Sequence, residues 1–145
     1  MKFRDFVAEA RFLAGPREVG EEEMIEFARR YDPQPFHVDP ERAAASRWGG
    51  LIASGWLTCA IAMQLAVEGI LAGSESIGSP GIDELRWEKP VRPGDRLILS
   101  VTVLESRVSS SGKTGIVRWR WELHNQREER VLSLLASSFF EMSMA

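Results

Sequence analysis

Asp32 and His37 are the residues whose types and spacing most directly suggest chemistry. They stand five positions apart in Tyr31-Asp32-Pro33-Gln34-Pro35-Phe36-His37-Val38-Asp39-Pro40. A carboxylate and an imidazole ionise in different pH ranges, so at neutral pH they can share one water as proton acceptor and proton carrier. The prolines restrict the backbone and can set this geometry before a substrate arrives. Spacing alone also fits an Asp32 that ends a helix and a His37 that satisfies a hydrogen bond inside a proline-rich turn.

The flanking segments must position this pair. Met24, Phe27, Ala28 and Tyr31 recur at helical spacing, with acidic Glu21, Glu22 and Glu23 first and basic Arg29 and Arg30 last. Charges so placed complement a helix dipole and predict a helix over residues 21–31. Pro33 disfavours helical geometry at Asp32, which leaves residues 32–39 as a stiff loop. A short helix is expected over 40–46 and a flexible loop at Gly49-Gly50. Ser54-Gly55-Trp56 then opens an apolar segment, 56–71, interrupted by Thr58, Gln64 and Glu68. A helix apolar on nearly every face needs protein on most sides, as when a curved sheet wraps it.

The rest of the chain changes to period two. Leu97, Leu99, Val101 and Val103 alternate with polar residues over 96–107, and Val117, Trp119, Trp121 and Leu123 alternate with Arg118, Arg120, Glu122 and His124. Turns at 109–112 and 125–129 lead from strand to strand, 131–140 supplies another, and 82–87 one more. Helices followed by an antiparallel meander give an α+β fold. The 145 residues, 44% of them hydrophobic, suit a single domain over 1–145.

Three blocks together resemble the MaoC-like dehydratases and (R)-specific enoyl-CoA hydratases. Asp32, Pro35 and His37 match a pattern close to Asp-x-Asn-Pro-x-His; Gly50-Leu51-Ile52-Ala53-Ser54-Gly55 and Leu85-Arg86-Trp87-Glu88-Lys89-Pro90-Val91-Arg92-Pro93-Gly94-Asp95 follow in the family's order. Gln34 replaces the usual Asn, and Tyr31 and Phe36 are bulkier than is common. The resemblance implies a hotdog fold, a long central helix wrapped by an antiparallel β-sheet, assembled as a homodimer or larger homo-oligomer. It implies reversible hydration of a 2-enoyl thioester, or dehydration of the 3-hydroxyacyl thioester, with acyl-CoA as substrate and no cofactor. Asp32 and His37 would be catalytic, and the Gly55 N–H would polarise the thioester carbonyl. A helix N-terminus suits an oxygen gaining negative charge. Ser54 beside it would contact substrate or cap the helix.

Composition narrows the alternatives. A net charge of -3 with no basic stripe argues against nucleic-acid binding. Cys59 is the one cysteine, so no internal disulfide forms, and no Cys/His cluster has metal-ligand spacing. No signal-like N-terminus is read, and 56–71 is shorter than the roughly 20 residues that span a bilayer. The expectation is a cytoplasmic protein away from membranes. Two other functions suit the same fold. An acyl-CoA thioesterase would need a polar group on the central helix, where Gln64 and Glu68 come late. A non-catalytic acyl-CoA-binding or assembly subunit would not need Asp32 and His37.

Overall fold

Alternating strands and an apolar helix find one another in the computed structural model, which describes residues 1–142; the last three positions of the expected domain lie outside the described residues. After a 3-10 turn at Phe3–Asp5 come β1 (Arg11–Glu18), α1 (Glu21–Tyr31), α2 (Pro35–Val38), α3 (Pro40–Ala44) and α4 (Gly55–Ala66). A π-helical turn, Val67–Leu71, prolongs α4. Five strands follow: β2 (Ser76–Gly78), β3 (Ile82–Trp87), β4 (Arg96–Val108), β5 (Thr114–His124) and β6 (Arg130–Glu141). All pairings are antiparallel, in the order β1-β4-β5-β6-β2, with β3 also on β6. The expected α+β architecture of a helix wrapped by an antiparallel sheet is present.

The strand faces sort as their alternation predicts. Leu97, Leu99, Val101 and Val103 of β4 and Val117, Trp119, Trp121 and Leu123 of β5 are buried. They join Leu57, Ile61, Ala62, Leu65 and Ala66 of α4 in one core. Phe6 wedges between Trp119 and Phe140, with ring centroids 5.2 and 5.3 Å away, and closes one end of that core.

Three features depart from the sequence expectations. Patterning shows no strand at Arg11–Glu18 because Gly15-Pro16 interrupts it; the structure places β1 at the sheet edge with a register shift there, where a residue lacking an N–H is tolerated. The segment 32–39 is not wholly loop, since Pro35 opens the single turn α2, a position proline suits. The apolar α4 is not covered on every side: Trp56, Met63 and Val67 form an exposed stripe, and Ile77, Ile82 and Trp87 are exposed on β2 and β3. No described helix is long and apolar enough to cross a membrane.

Candidate active site

Proline geometry carries Asp32 and His37 to the start of α4. Asp32 caps the end of α1, its N–H bonding the Ala28 carbonyl at 2.8 Å, and the Pro35 turn then raises His37. The His37 ring is 5% exposed and packs edge-on to Phe36. Backbone bonds stitch this turn to the segment before α4: Ile52 N–H donates to the Phe36 carbonyl at 3.2 Å, and Ala53 N–H to the Val91 carbonyl at 2.9 Å. The three sequence blocks therefore meet in space.

His37 Nδ1 lies 2.8 Å from the Ile52 carbonyl oxygen. That oxygen only accepts, so Nδ1 carries a proton and Nε2 is the nitrogen left to exchange one. Nε2 faces Asp32 Oδ2 at 3.2 Å. Two acceptors attract at that distance only with a proton between them, which makes the pair a place to hold one.

The carboxylate is gripped from both sides. Ser54 Oγ donates to Asp32 Oδ2 at 2.8 Å, and Gln34 Nε2 donates to Oδ1 at 2.7 Å. Gln34, a departure from the family pattern, thus keeps an amide on the carboxylate. Burial pushes the Asp32 carboxyl up, but the hydrogen bonds from Gln34 and Ser54 and the charge of His37 together outweigh it and hold the carboxyl below its ordinary range. Ser54→Ala removes one of these donors and is expected to raise the Asp32 pKa. Any activity that needs the carboxylate then fails at higher pH on acidification, and a pH-rate profile reads that upward displacement of the acid limb. An unmoved limb would detach Ser54 from the ionisation.

Ser54 also caps α4, its Oγ accepting from Trp56 N–H at 3.3 Å. Its carbonyl accepts from Leu57 N–H at 3.0 Å and Thr58 N–H at 3.2 Å. Of the four N–H groups in the first turn of the helix, these contacts occupy three and leave Gly55 N–H without an acceptor among the described residues. Gly55 is half-buried, and a Cβ there would overlap the Trp87 indole. Trp87 Nε1 donates to the Gly55 carbonyl at 2.8 Å, and its ring meets Trp56 edge-on at 5.2 Å.

Asp32, Ile52, Gly55, Trp56, Trp87 and Val91 line a cavity of about 390 Å³. His37 stands behind Asp32 rather than in this wall. The structure thus brings Asp32, His37, Ser54 and Gly55 to one place. Sequence reading missed Trp87 as a site residue; its signal was an aromatic in the third matching block, but its partner lies across the fold. Cys59 is half-buried, and burial pushes its thiol up, which argues against a thiolate nucleophile. Arg92 is spent on the carbonyls of Gly50 and Trp48, and Lys89 on Glu129. Gln64 and Glu68 bond each other two turns or more along the helix from Gly55. Among the described residues no group of side chains forms a metal site.

Comparison with known proteins places the chain in a family and matches its fold. Residues 5–122 match the model of the MaoC like domain. An uncharacterized protein of Bacillus subtilis, YdeM, is 33% identical over 131 residues, covering 90% of this chain and 92% of that one. The crystal structure of a MaoC-like dehydratase from Rhodospirillum rubrum superposes with a TM-score of 0.87 at 39% identity, covering 97% of each chain. The unliganded R-hydratase PhaJ1 of Pseudomonas aeruginosa shares the fold, with a TM-score of 0.77 at 22% identity over 99% of this chain and 90% of that one. With the helix, the wrapping sheet and the matched span in agreement, the chain belongs to the MaoC-like dehydratase domain family.

Proposed function

We propose that the protein catalyses the reversible hydration of a 2-enoyl thioester to the 3-hydroxyacyl thioester, with coenzyme A as the carrier. The observation that carries this reading is the Asp32–His37 contact beside a cavity that Gly55, whose N–H has no acceptor among the described residues, also lines. In hydration the water oxygen bonds C3 while one water proton passes to the Asp32–His37 pair. The π electrons of the double bond shift onto the thioester oxygen, where Gly55 N–H meets the developing negative charge. Collapse of that enolate takes a proton from the pair onto C2, so the pair begins and ends with the same proton count. Ser54 holds Asp32 in place throughout. The likeness to an R-hydratase supports the reaction class.

The test is a panel of trans-2-enoyl-CoA thioesters followed by the ultraviolet absorbance of the conjugated double bond, with products separated by chiral chromatography. Loss of absorbance with an (R)-3-hydroxyacyl-CoA product is expected. Free coenzyme A would instead identify a thioesterase, and binding of acyl-CoA without turnover would identify a non-catalytic subunit.

The same reading includes a homodimer. The exposed stripe of Trp56, Met63 and Val67 runs beside exposed Ile77, Ile82 and Trp87, and a second copy across this face would cover both. Light scattering is expected to give twice the mass of one chain. A monomer at micromolar concentration would remove the dimer from the proposal.

A further inference from the structure

The cavity at Asp32 has two ends. Residues 87–91 line it in succession, from Trp87, which meets Trp56 edge-on, to Val91, whose carbonyl accepts from Ala53 N–H. Arg92 follows and reaches another part of the wall, Trp48. At the first end, Trp56 and Trp87 belong to the face that the proposed second copy covers. At the other end Gln34, Trp48 and Pro90 are exposed, and none of them belongs to that face. A coenzyme A thioester carries a long arm on its sulfur, and in the dimer that arm leaves the cavity at the Trp48 end.

Trp48 is fixed in place before any ligand arrives. The residue is 36% exposed on a turn where Gly49, at φ +68, takes a conformation that glycine allows. Arg92 pins that turn: Nη2 donates to the Trp48 carbonyl at 2.7 Å and Nη1 to the Gly50 carbonyl at 3.1 Å. Trp48 N–H donates to Ser46 Oγ at 3.2 Å. Arg92 is itself anchored, since its N–H donates to Asp95 Oδ2 at 2.9 Å while Gln126 Nε2 donates to the other oxygen of this buried carboxylate at 3.0 Å. The Trp48 ring leans on Phe36, 6.4 Å away between centroids, and Phe36 in turn packs on His37 at 4.5 Å. The Arg47 guanidinium lies over the ring, 5.5 Å from its centroid. A large aromatic surface that is exposed yet already ordered binds a partner with little further loss of freedom.

We infer that Trp48 binds the pantetheine arm of the substrate where it leaves the cavity, and that Arg92 is the positioning residue that holds the indole there. This rests on the hydratase reading and its dimer. The arm alternates short apolar stretches with amides, and an indole packs against both. The contact lies outside the reacting atoms, so it adds to binding without taking part in the proton transfers.

Calorimetric binding of saturated thioesters reads this contact without turnover. The ligands share one acyl group, the tightest-binding saturated chain, on ethanethiol, which has no arm, on pantetheine and on coenzyme A. The native protein is expected to bind the pantetheine form about tenfold tighter than the ethyl form, the scale of burying about 60 Å² of apolar surface. Trp48→Ala is expected to bring that ratio to about one. Arg92→Ala keeps the indole but frees its turn, and is expected to lower the ratio about threefold, the scale of ordering one side chain, with partial recovery in Arg92→Lys. Equal binding of both forms by the native protein overturns the inference, as does a loss in Trp48→Ala that falls on both forms alike, which a displaced loop would cause. An unchanged ratio in Arg92→Ala overturns the positioning role. Coenzyme A and an acyl carrier protein present the same arm, so the acyl carrier protein form is measured as well. The coenzyme A form is expected to weaken in Trp48→Ala, and a loss confined to the carrier-protein form would overturn coenzyme A as the source of the arm. Should Trp48→Ala fail to fold, intermolecular nuclear Overhauser effects in the native complex take its place: the arm is expected to contact the Trp48 ring, and contacts to other residues alone overturn the inference. An arm effect lost in Trp48→Ala without any hydration of the enoyl panel would sink the hydratase reading and leave the arm site standing, whereas hydration without an arm effect would sink this inference alone.

Discussion

Asp32→Asn is expected to lower turnover about 100-fold or more, the lower scale for a general acid-base group, in a protein that remains folded. The substitution is close to isosteric. Gln34 Nε2 can still donate to the retained oxygen, as it does to Asp32 Oδ1 at 2.7 Å. The new amide nitrogen falls where Oδ2 now faces His37 Nε2 at 3.2 Å. A carboxylate that accepts a proton is replaced there by a donor that occupies the imidazole lone pair, and the pair loses its capacity to exchange protons. His37→Ala removes the other half and is expected to cost a similar factor. Because both residues serve one proton, the double variant should fall little below the poorer single one, since groups that act as a unit are not additive. Circular dichroism and thermal melting establish that each variant is folded, and enoyl-CoA hydration gives the rate. Native turnover in Asp32→Asn would exclude the carboxylate from the chemistry.

The long elements were legible because each buries one face. In β5 the alternation of Val117, Trp119, Trp121 and Leu123 with charged neighbours admits one register, and the acidic start and basic finish of α1 mark its ends. The strand β1 was not legible, because its Gly15-Pro16 break removes the alternation while pairing with β4 restores an extended chain on both sides of it. Asp32 and His37 were legible as a pair because prolines confine them. Two contacts of that site were not: the Ile52 carbonyl that orients His37 is 15 residues away, and the Gly55 carbonyl that Trp87 holds is 32 residues away. Neither follows from residue type, since one partner in each is backbone. Ser54 illustrates the limit well. Sequence offers capping or substrate contact, while the fold uses its Oγ both to cap Trp56 and to hold Asp32.

Gly55→Pro, measured against Gly55→Ala, is expected to lose about 100-fold to 1,000-fold in turnover, the scale for removing one donor from a developing oxyanion. Both substitutions add a Cβ that presses on the Trp87 indole, so the alanine variant carries that contact, while proline alone puts a ring Cδ on the backbone nitrogen. Only proline removes the N–H. The helix should tolerate it, because Gly55 is the first residue of α4 and a first-turn N–H has no intrahelical partner to lose. Ser54 is also ready for it: its backbone stands at φ -56 and ψ 135, the extended geometry that a following proline requires. The capping bond to Trp56 N–H and the Ser54 carbonyl bonds to Leu57 and Thr58 involve no atom that the proline deletes. Far-ultraviolet circular dichroism should therefore coincide for the two variants while their turnover separates. If the pair hydrates substrate at equal rates, the thioester oxygen is not held by Gly55, and the start of α4 positions Asp32 through Ser54 without polarising the substrate.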